Sequence, residues 1–291
     1  MILTEEHKPI YKKAEAFANQ FDHWFDVYVS AQEKKIHFVS ALWDSKTYSV
    51  RSGGKRFRPF LTSLVYQIWN QDLEKIKSFC LAIEMIHTYS LVHDDLPCMD
   101  NDDLRRGKPT NHKVHGEAIA LLAGDALVSE AFALISHDLS LPAETVVKIV
   151  RMLADKIGSF GMVGGQALDM NSTPAITITE LEEIHLLKTG YLIQAAALGG
   201  AIISGANETQ LKAISDFALN LGLAFQIKDD LLDENDKQQD YKSYLAVLGK
   251  EKTLAELNKK SNLAKEQLTL LNSDKTQSLI DLIDYNLQRV L

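Results

Sequence analysis

Two groups of aspartates, Asp94-Asp95-Leu96-Pro97-Cys98-Met99-Asp100 and Asp229-Asp230-Leu231-Leu232-Asp233, carry the chemistry this sequence can do. Each closes a mostly apolar segment with helical spacing, Phe79 to Val92 and Phe217 to Ile227, so the acids end helices of the buried type. At about 100° per residue, Asp229 and Asp233 lie about 40° apart on one helix face. Their like charges cost a few tenths of a kcal/mol unless a cation sits between them. Magnesium fits, because it takes carboxylate oxygens, keeps several waters and bridges protein to substrate phosphates. Asp94 and Asp100 would lie about 240° apart on an ideal helix, so one metal site can use both only if the helix deforms between them. Pro97 supplies the means, since it lacks a donor and disfavours helical geometry at Leu96. One Asp-Asp pair is ordinarily a solvated helix end, but two such clusters on apolar helices point to cations.

Cationic groups accompany the acids. Arg105 and Arg106 follow the first cluster in Asp102-Asp103-Leu104-Arg105-Arg106-Gly107-Lys108, and a guanidinium fork suits phosphate oxygens. Gly53-Gly54-Lys55-Arg56-Phe57-Arg58-Pro59 joins flexible glycines to three cations at a predicted helix start, which suits an anion. The Walker spacing is missing, which argues against an ordinary nucleotide triphosphatase. Lys188-Thr189-Gly190, read alone as a common helix-end sequence, and Phe225-Gln226-Ile227-Lys228 add donors. His87 sits two helical turns before Asp94 on the same face. The other histidines, including His93, His112, His115, His137 and His185, show no zinc spacing.

The elements that must position these groups read as helices. Gly116 to Leu139 and Leu181 to Ser204 are rich in Ala, Leu and Ile at three- and four-residue spacing. Strand patterns bounded by hairpin turns are hard to find. Ala175 to Thr179 is better read as an approach to a helix, with Thr177 or Thr179 as N-cap before Glu180 to Glu183. Gly164-Gly165-Gln166 is expected to break a helix, for close approach of backbone or ligand or for helix packing. The class is all-α. With 291 residues, 46% hydrophobic content and no Pro/Gly/Ser-rich linker, one large domain over 1–291 is expected.

A net charge of −8 with only short basic clusters excludes an extended nucleic-acid-binding face. No signal-peptide core opens the chain, and the longest apolar run, near Ala195 to Ile203, is too short to span a bilayer. A cytoplasmic protein with no membrane span is expected. The two cysteines, Cys80 and Cys98, lack CxxC spacing and are read as reduced thiols.

Taken in order, Gly53 to Pro59, Ser90 to Asp100, Gly164-Gly165-Gln166, Lys188-Thr189-Gly190 and Phe225 to Asp233 make the chain resemble the trans-prenyl diphosphate synthases over nearly its whole length. The resemblance implies a bundle of long helices around a deep cavity, usually a homodimer, with the two acid clusters facing each other at its mouth. It implies three magnesium ions, held by Asp94, Asp95, Asp100 and Asp229 with Asp230 and Asp233 in support. Arg105, Lys188, Thr189, Gln226 and Lys228 would hold an allylic diphosphate, and Lys55, Arg58, His87 and Arg106 isopentenyl diphosphate. Ionisation of the allylic carbon-oxygen bond would come first, then attack by the isopentenyl double bond and loss of a proton to the departing diphosphate. Apolar walls would keep water from the cation.

Tyr89 and Ser90 precede Asp94 by five and four residues, roughly 6 to 7.5 Å deeper along one helix. In enzymes that this chain resembles, an aromatic at that depth accompanies a fifteen-carbon, farnesyl product. The stretch Cys98 to Val114 also looks like twenty-carbon, geranylgeranyl enzymes. The segment after Asp233 is shorter than the family pattern, and Lys237 or Lys242 is expected to supply its cation, with weaker closure or altered allylic affinity. A terpene cyclase would pair its aspartates with an Asn/Ser/Glu motif where this chain has Asp229 to Asp233. A non-catalytic partner subunit would be expected to lack one or both clusters.

Overall fold

A computed structural model describes residues 8–32, 37–233 and 241–289. The helices are α1 (Lys8–Ala31), α2 (Ser40–Arg51), α3 (Phe57–Tyr66), α4 (Lys77–Asp94), α5 (Asn111–His115), α6 (Glu117–Ser136) and α7 (Ala143–Ile157). There follow α8 (Met162–Met170), α9 (Ile178–His185), α10 (Tyr191–Ile203), α11 (Glu208–Leu232), α12 (Tyr244–Leu248), α13 (Lys250–Thr269) and α14 (Gln277–Gln288). The all-α reading holds.

Among the described residues one exception is a hairpin, β1 (Leu104–Arg105) against β2 (Lys108–Pro109), in which Leu104 faces Pro109 and Arg105 faces Lys108. Arg106 and Gly107 turn it with φ of 54° and 75°, the left-handed pair that a two-residue hairpin needs. Two residues per strand are too few to leave an alternating pattern, so the sequence gives no sign of it.

The chain forms two compact units, each assembled from separated segments. This interleaving leaves no linker for composition to reveal. The first unit comprises Lys13–Phe60 and Asp72–Val146. Its central helix is α4, buried continuously from Phe79 to Ile86. α6 crosses it closely because Gly124 has no side chain: a Cβ there would lie 2.1 Å from Nε2 of His93, which itself pairs with the Leu121 carbonyl at 2.9 Å. Phe17 packs edge-on against Trp24, with centroids 5.9 Å apart. Glu84 lies 3% exposed within this apolar interior and accepts from Arg56 at 3.2 Å. Arg56 also bonds Asp22 and the Val50 carbonyl.

The second unit comprises Leu61–Gln71, Val147–Leu291 and the chain start through Lys12. Leu181, Ala224, Ile227, Tyr244 and Leu257 form a buried cluster joining α9, α11, α12 and α13. Thr177 caps α9 in a capping box with Glu180, settling which threonine starts that helix. Between α9 and α10 runs a π-helical turn, Leu186–Gly190, so Lys188-Thr189-Gly190 lies inside a continuous helix and not at its end. Nor do Gly164 and Gly165 break a helix, since both lie within α8. They serve packing: a Cβ on Gly165 would lie 2.4 Å from the Lys188 amide nitrogen.

The expectation that no segment could span a bilayer fails on length. Glu117–Ser136 and Ile178–Ile203 are both long and apolar enough to cross a membrane. The expectation counted an uninterrupted apolar run, whereas these helices interleave apolar residues with a few polar ones. The second is mostly buried as a core helix; the first is about one-third buried and exposes Leu121 and Leu122. Cys80 is a buried free thiol and Cys98 an exposed one.

Candidate active site

In the first unit α4 ends at Asp94 and the backbone coils into a closed turn. The Asp100 amide donates to the Asp94 carbonyl at 2.8 Å, and the Asn101 amide to the Leu96 carbonyl at 3.1 Å. These bonds resemble the closure of a helix C-cap, and they bring Asp94 and Asp100 to one turn as the Pro97 argument requires. Asp94 is half-buried and Asp100 exposed. Asp95 differs. Its carboxylate is 3% exposed and is gripped by Arg105, whose Nε lies 2.9 Å from Oδ1. Nη2 of Arg105 also bonds Asp95, and reaches Asp102 at 3.0 Å. Burial pushes the Asp95 carboxyl above its usual range, with Arg105 working against that shift.

A cationic group surrounds His87 in the same unit. Burial and then the charges of Arg58, Arg106, Arg105 and Arg56 hold the imidazole well below its ordinary pKa, so at neutral pH it is uncharged. Burial also pushes Arg58 down to about 10, with Arg106 adding to the shift and Glu84 opposing it. Arg106 donates to the Gly53 carbonyl. Gly54 sits at φ 135°, where an L side chain is strained, and it lets the Arg106 guanidinium approach to 2.6 Å from where a Cβ would be. Lys55 is exposed beside them. Arg105 and Arg106, expected to serve different diphosphates, line one small pocket with Tyr48, Ser52, Thr88 and Asp95.

Deeper on α4, Tyr89 is 8% exposed and packs edge-on against His93, centroids 5.7 Å apart. Burial, and then the charge of Asp94, push its hydroxyl up to about 12. Ser90 turns its hydroxyl to the His87 carbonyl at 2.9 Å.

In the second unit α11 presents Asp229, Asp230 and, at its C-cap, exposed Asp233. Asp229 pairs with Arg289, which also donates to Asn286 at 2.9 Å and the Phe225 carbonyl at 3.1 Å. Asp230 accepts from the Tyr244 amide at 2.7 Å and from Gln226 at 3.2 Å. Burial raises its pKa to about 6, with Asp229 and Asp233 adding to the rise. Gln226 in turn accepts from Thr189 at 3.4 Å, which brings two of the expected allylic residues together. Lys228 turns elsewhere, donating to the Leu287 carbonyl at the end of α14 at 3.0 Å. Lys188 and Lys242 both reach Asp169, at 2.6 and 2.9 Å. Lys237 lies outside the described residues.

The profile of a family described as Polyprenyl synthetase matches residues 40–287. The chain belongs to that family. Among the relatives of this polyprenyl synthetase, a protein named farnesyl diphosphate synthase from Geobacillus stearothermophilus is 46% identical over 222 residues, 75% of each chain. A chloroplastic geranylgeranyl pyrophosphate synthase from Catharanthus roseus is 40% identical over 275 residues, 89% of this chain and 75% of the other. The crystal structure of a FPP/GFPP synthase from Zymomonas mobilis superposes with a TM-score of 0.87 at 34% identity, covering 96% of this chain and 99% of that one. These likenesses agree with the all-α isoprenoid-synthase fold.

Three residues of this polyprenyl synthetase escaped the sequence reading. Asp169 stands alone between Leu168 and Met170, Arg289 is 60 residues from its partner, and Glu84 sits in an apolar run. Only Glu84 left a signal, as a charge on a segment otherwise read as buried.

Magnesium fits the donor set. Asp94, Asp100 and Asp233 present hard oxygens at half-buried or exposed positions, and half-buried Asp229 does so while paired with Arg289; Asp95 and Asp230 are buried deeper or held by Arg105 and the Tyr244 amide. Among the described residues, no three acidic, imidazole or thiol groups converge on one point.

Proposed function

We propose that this prenyl chain-elongating enzyme joins isopentenyl diphosphate head to tail, 1'-4, to dimethylallyl and then geranyl diphosphate, releasing diphosphate and giving (E,E)-farnesyl diphosphate. The observation that carries the reading is the pairing of each acid cluster with diphosphate-suited donors in its own unit. Asp94 and Asp100 accompany Arg58, His87 and Arg106; Asp229 and Asp233 accompany Lys188, Thr189 and Gln226.

Asp94, Asp100, Asp229 and Asp233 would hold magnesium, three ions by the family pattern, which as a Lewis acid stabilises charge on the leaving diphosphate. Lys188 and the Thr189–Gln226 pair bind and orient the allylic diphosphate, so that negative charge grows beside fixed donors as the carbon-oxygen bond breaks. Arg105 is fixed by Asp95 and Asp102, so its guanidinium needs little reorganisation. Lys55, Arg58 and Arg106 supply charge for isopentenyl diphosphate. Neutral His87 contributes a hydrogen bond without adding to the repulsion among the arginines. The apolar walls keep water from the allylic cation, and the departing diphosphate takes the proton; no side chain acts as nucleophile.

The fifteen-carbon product rests on Tyr89, whose buried ring beneath Asp94 supports its role as cavity floor. Tyr89→Ala should shift the main product to twenty carbons or longer, and an unchanged product would remove Tyr89 from that role. A geranylgeranyl product is the second reading, favoured by the Catharanthus relative. Product analysis by mass spectrometry, with magnesium, labelled isopentenyl diphosphate and dimethylallyl or geranyl diphosphate, tests both. Mainly farnesyl product supports the first and geranylgeranyl product the second. No elongation would overturn the enzyme reading and favour a non-catalytic subunit.

A homodimer belongs to the same reading, supported by the apolar side chains that α6 exposes. So do a cytoplasmic setting and the treatment of the chain as one functional domain, the latter supported by a single family profile running across both units.

A further inference from the structure

Asp169 is a carboxylate that no acid cluster accounts for, and its side chain is only 9% exposed. It takes one lysine on each oxygen: Nζ of Lys188 lies 2.6 Å from Oδ2, and Nζ of Lys242 lies 2.9 Å from Oδ1. The backbone explains how these groups meet. Gly165 and Asp169 are one turn apart on α8, hence on one face, and Gly165 lets the Leu187–Lys188 backbone approach to distances no Cβ would allow. The wide π-turn carries Lys188 across that approach. On the other side, Tyr241 bonds the Ser172 carbonyl at 3.1 Å and the Tyr244 amide bonds Asp230 at 2.7 Å, so Lys242 lies between two anchors. Burial works against the charged carboxylate, yet the two ammoniums hold its pKa below the ordinary value.

We propose that Asp169 is a positioning residue, which fixes Lys188 and Lys242 as a paired ammonium receptor for the allylic diphosphate. The inference rests on the elongation reading above. One carboxylate neutralises one ammonium, so the trio keeps a net positive charge. Each ammonium carries three donors, so a contact with Asp169 is compatible with contacts to phosphate oxygens. Without Asp169 the two like charges repel, and the Lys242 segment loses a tether to α8.

The test compares wild type, Asp169→Asn, Asp169→Glu, Lys242→Met and the double variant Asp169→Asn/Lys242→Met. The readouts are KM for geranyl diphosphate, KM for isopentenyl diphosphate and inhibition by inorganic diphosphate. Asp169→Asn should raise the geranyl diphosphate KM and the inorganic diphosphate inhibition constant about tenfold, the loss of one charge-assisted contact. The isopentenyl diphosphate KM should change less than about twofold, since its binding groups lie elsewhere. Asp169→Glu should recover most of the loss, and the double variant should be little worse than either single one, because the residues act as one unit. Equal changes in both KM values, or additive effects, would overturn the proposal. Should Asp169→Asn fail to fold, Lys242→Met carries the test: it must raise the allylic KM alone, and an unchanged allylic KM sinks the proposal. Wild-type protein that does not elongate would overturn the underlying reading, whereas active wild type with an unaltered Asp169→Asn variant would overturn this inference only.

Discussion

Asp94→Asn should lower kcat for elongation by about 10²–10³ at saturating magnesium, the typical cost of one group aimed at developing charge. It should leave the melting temperature nearly unchanged. The side chain is half-buried, its charge acts on Arg105, and its backbone carbonyl accepts the bond from Asp100 that closes the turn. In the variant the turn keeps its backbone bonds and Arg105 keeps Asp95 and Asp102, so the folding cost is small, whereas the transition state loses a group that only matters as charge grows on the leaving diphosphate. Asp229 is a poorer test of the same idea, because Arg289 depends on it and an unpaired buried guanidinium would confuse folding with catalysis. Steady-state kinetics with thermal melting on one preparation separates the two effects. Full activity in Asp94→Asn would remove it from the metal group.

Glu84→Leu should produce the opposite pattern, a large loss of stability by about 3–5 kcal/mol, because it removes one partner of a buried ion pair. Glu84 is 3% exposed, and it opposes the mutual effects of a crowded set of cations: it pairs with Arg56 and its charge acts on Arg58 and Arg106. Without it Arg56 keeps Asp22, but that carboxylate is more than half exposed and its attraction is weaker. For a chain of this length the loss corresponds to a melting temperature lower by about 10 °C. Urea denaturation would check it through a lower midpoint, and a midpoint equal to wild type would show that Glu84 does not hold the cations in place.

What was legible in the sequence follows from how local each signal is. Helical spacing, the Thr177 cap and the Pro97 turn depend on neighbours within a few residues, and they appear where expected. The acid clusters were legible for the same reason, but the work of individual acids was not. Asp95 and Asp230 read like their neighbours, yet one is committed to Arg105 ten residues on and the other to the Tyr244 amide. Lys228 reads as a continuation of Gln226 toward the acids, but a helix presents successive residues on different faces, and its ammonium goes to the end of α14. Asp169 and Arg289 gain their meaning only when α8 and α14 meet other elements. The π-turn was hidden because one widened turn leaves the apolar content of a helix unchanged.

The turn after α4 also has a consequence for how this stretch tolerates change. It is closed by main-chain bonds from Asp100 to Asp94 and from Asn101 to Leu96, while Pro97 and Cys98 between them are exposed. A ring made of backbone counts residues and ignores their side chains. In a randomised library the letter at position 98 should therefore be free to drift while Pro97, which turns the chain out of the helix, is kept, and an insertion or deletion of a single residue should open the ring and separate the two acids. The heritable quantity in this motif is a length.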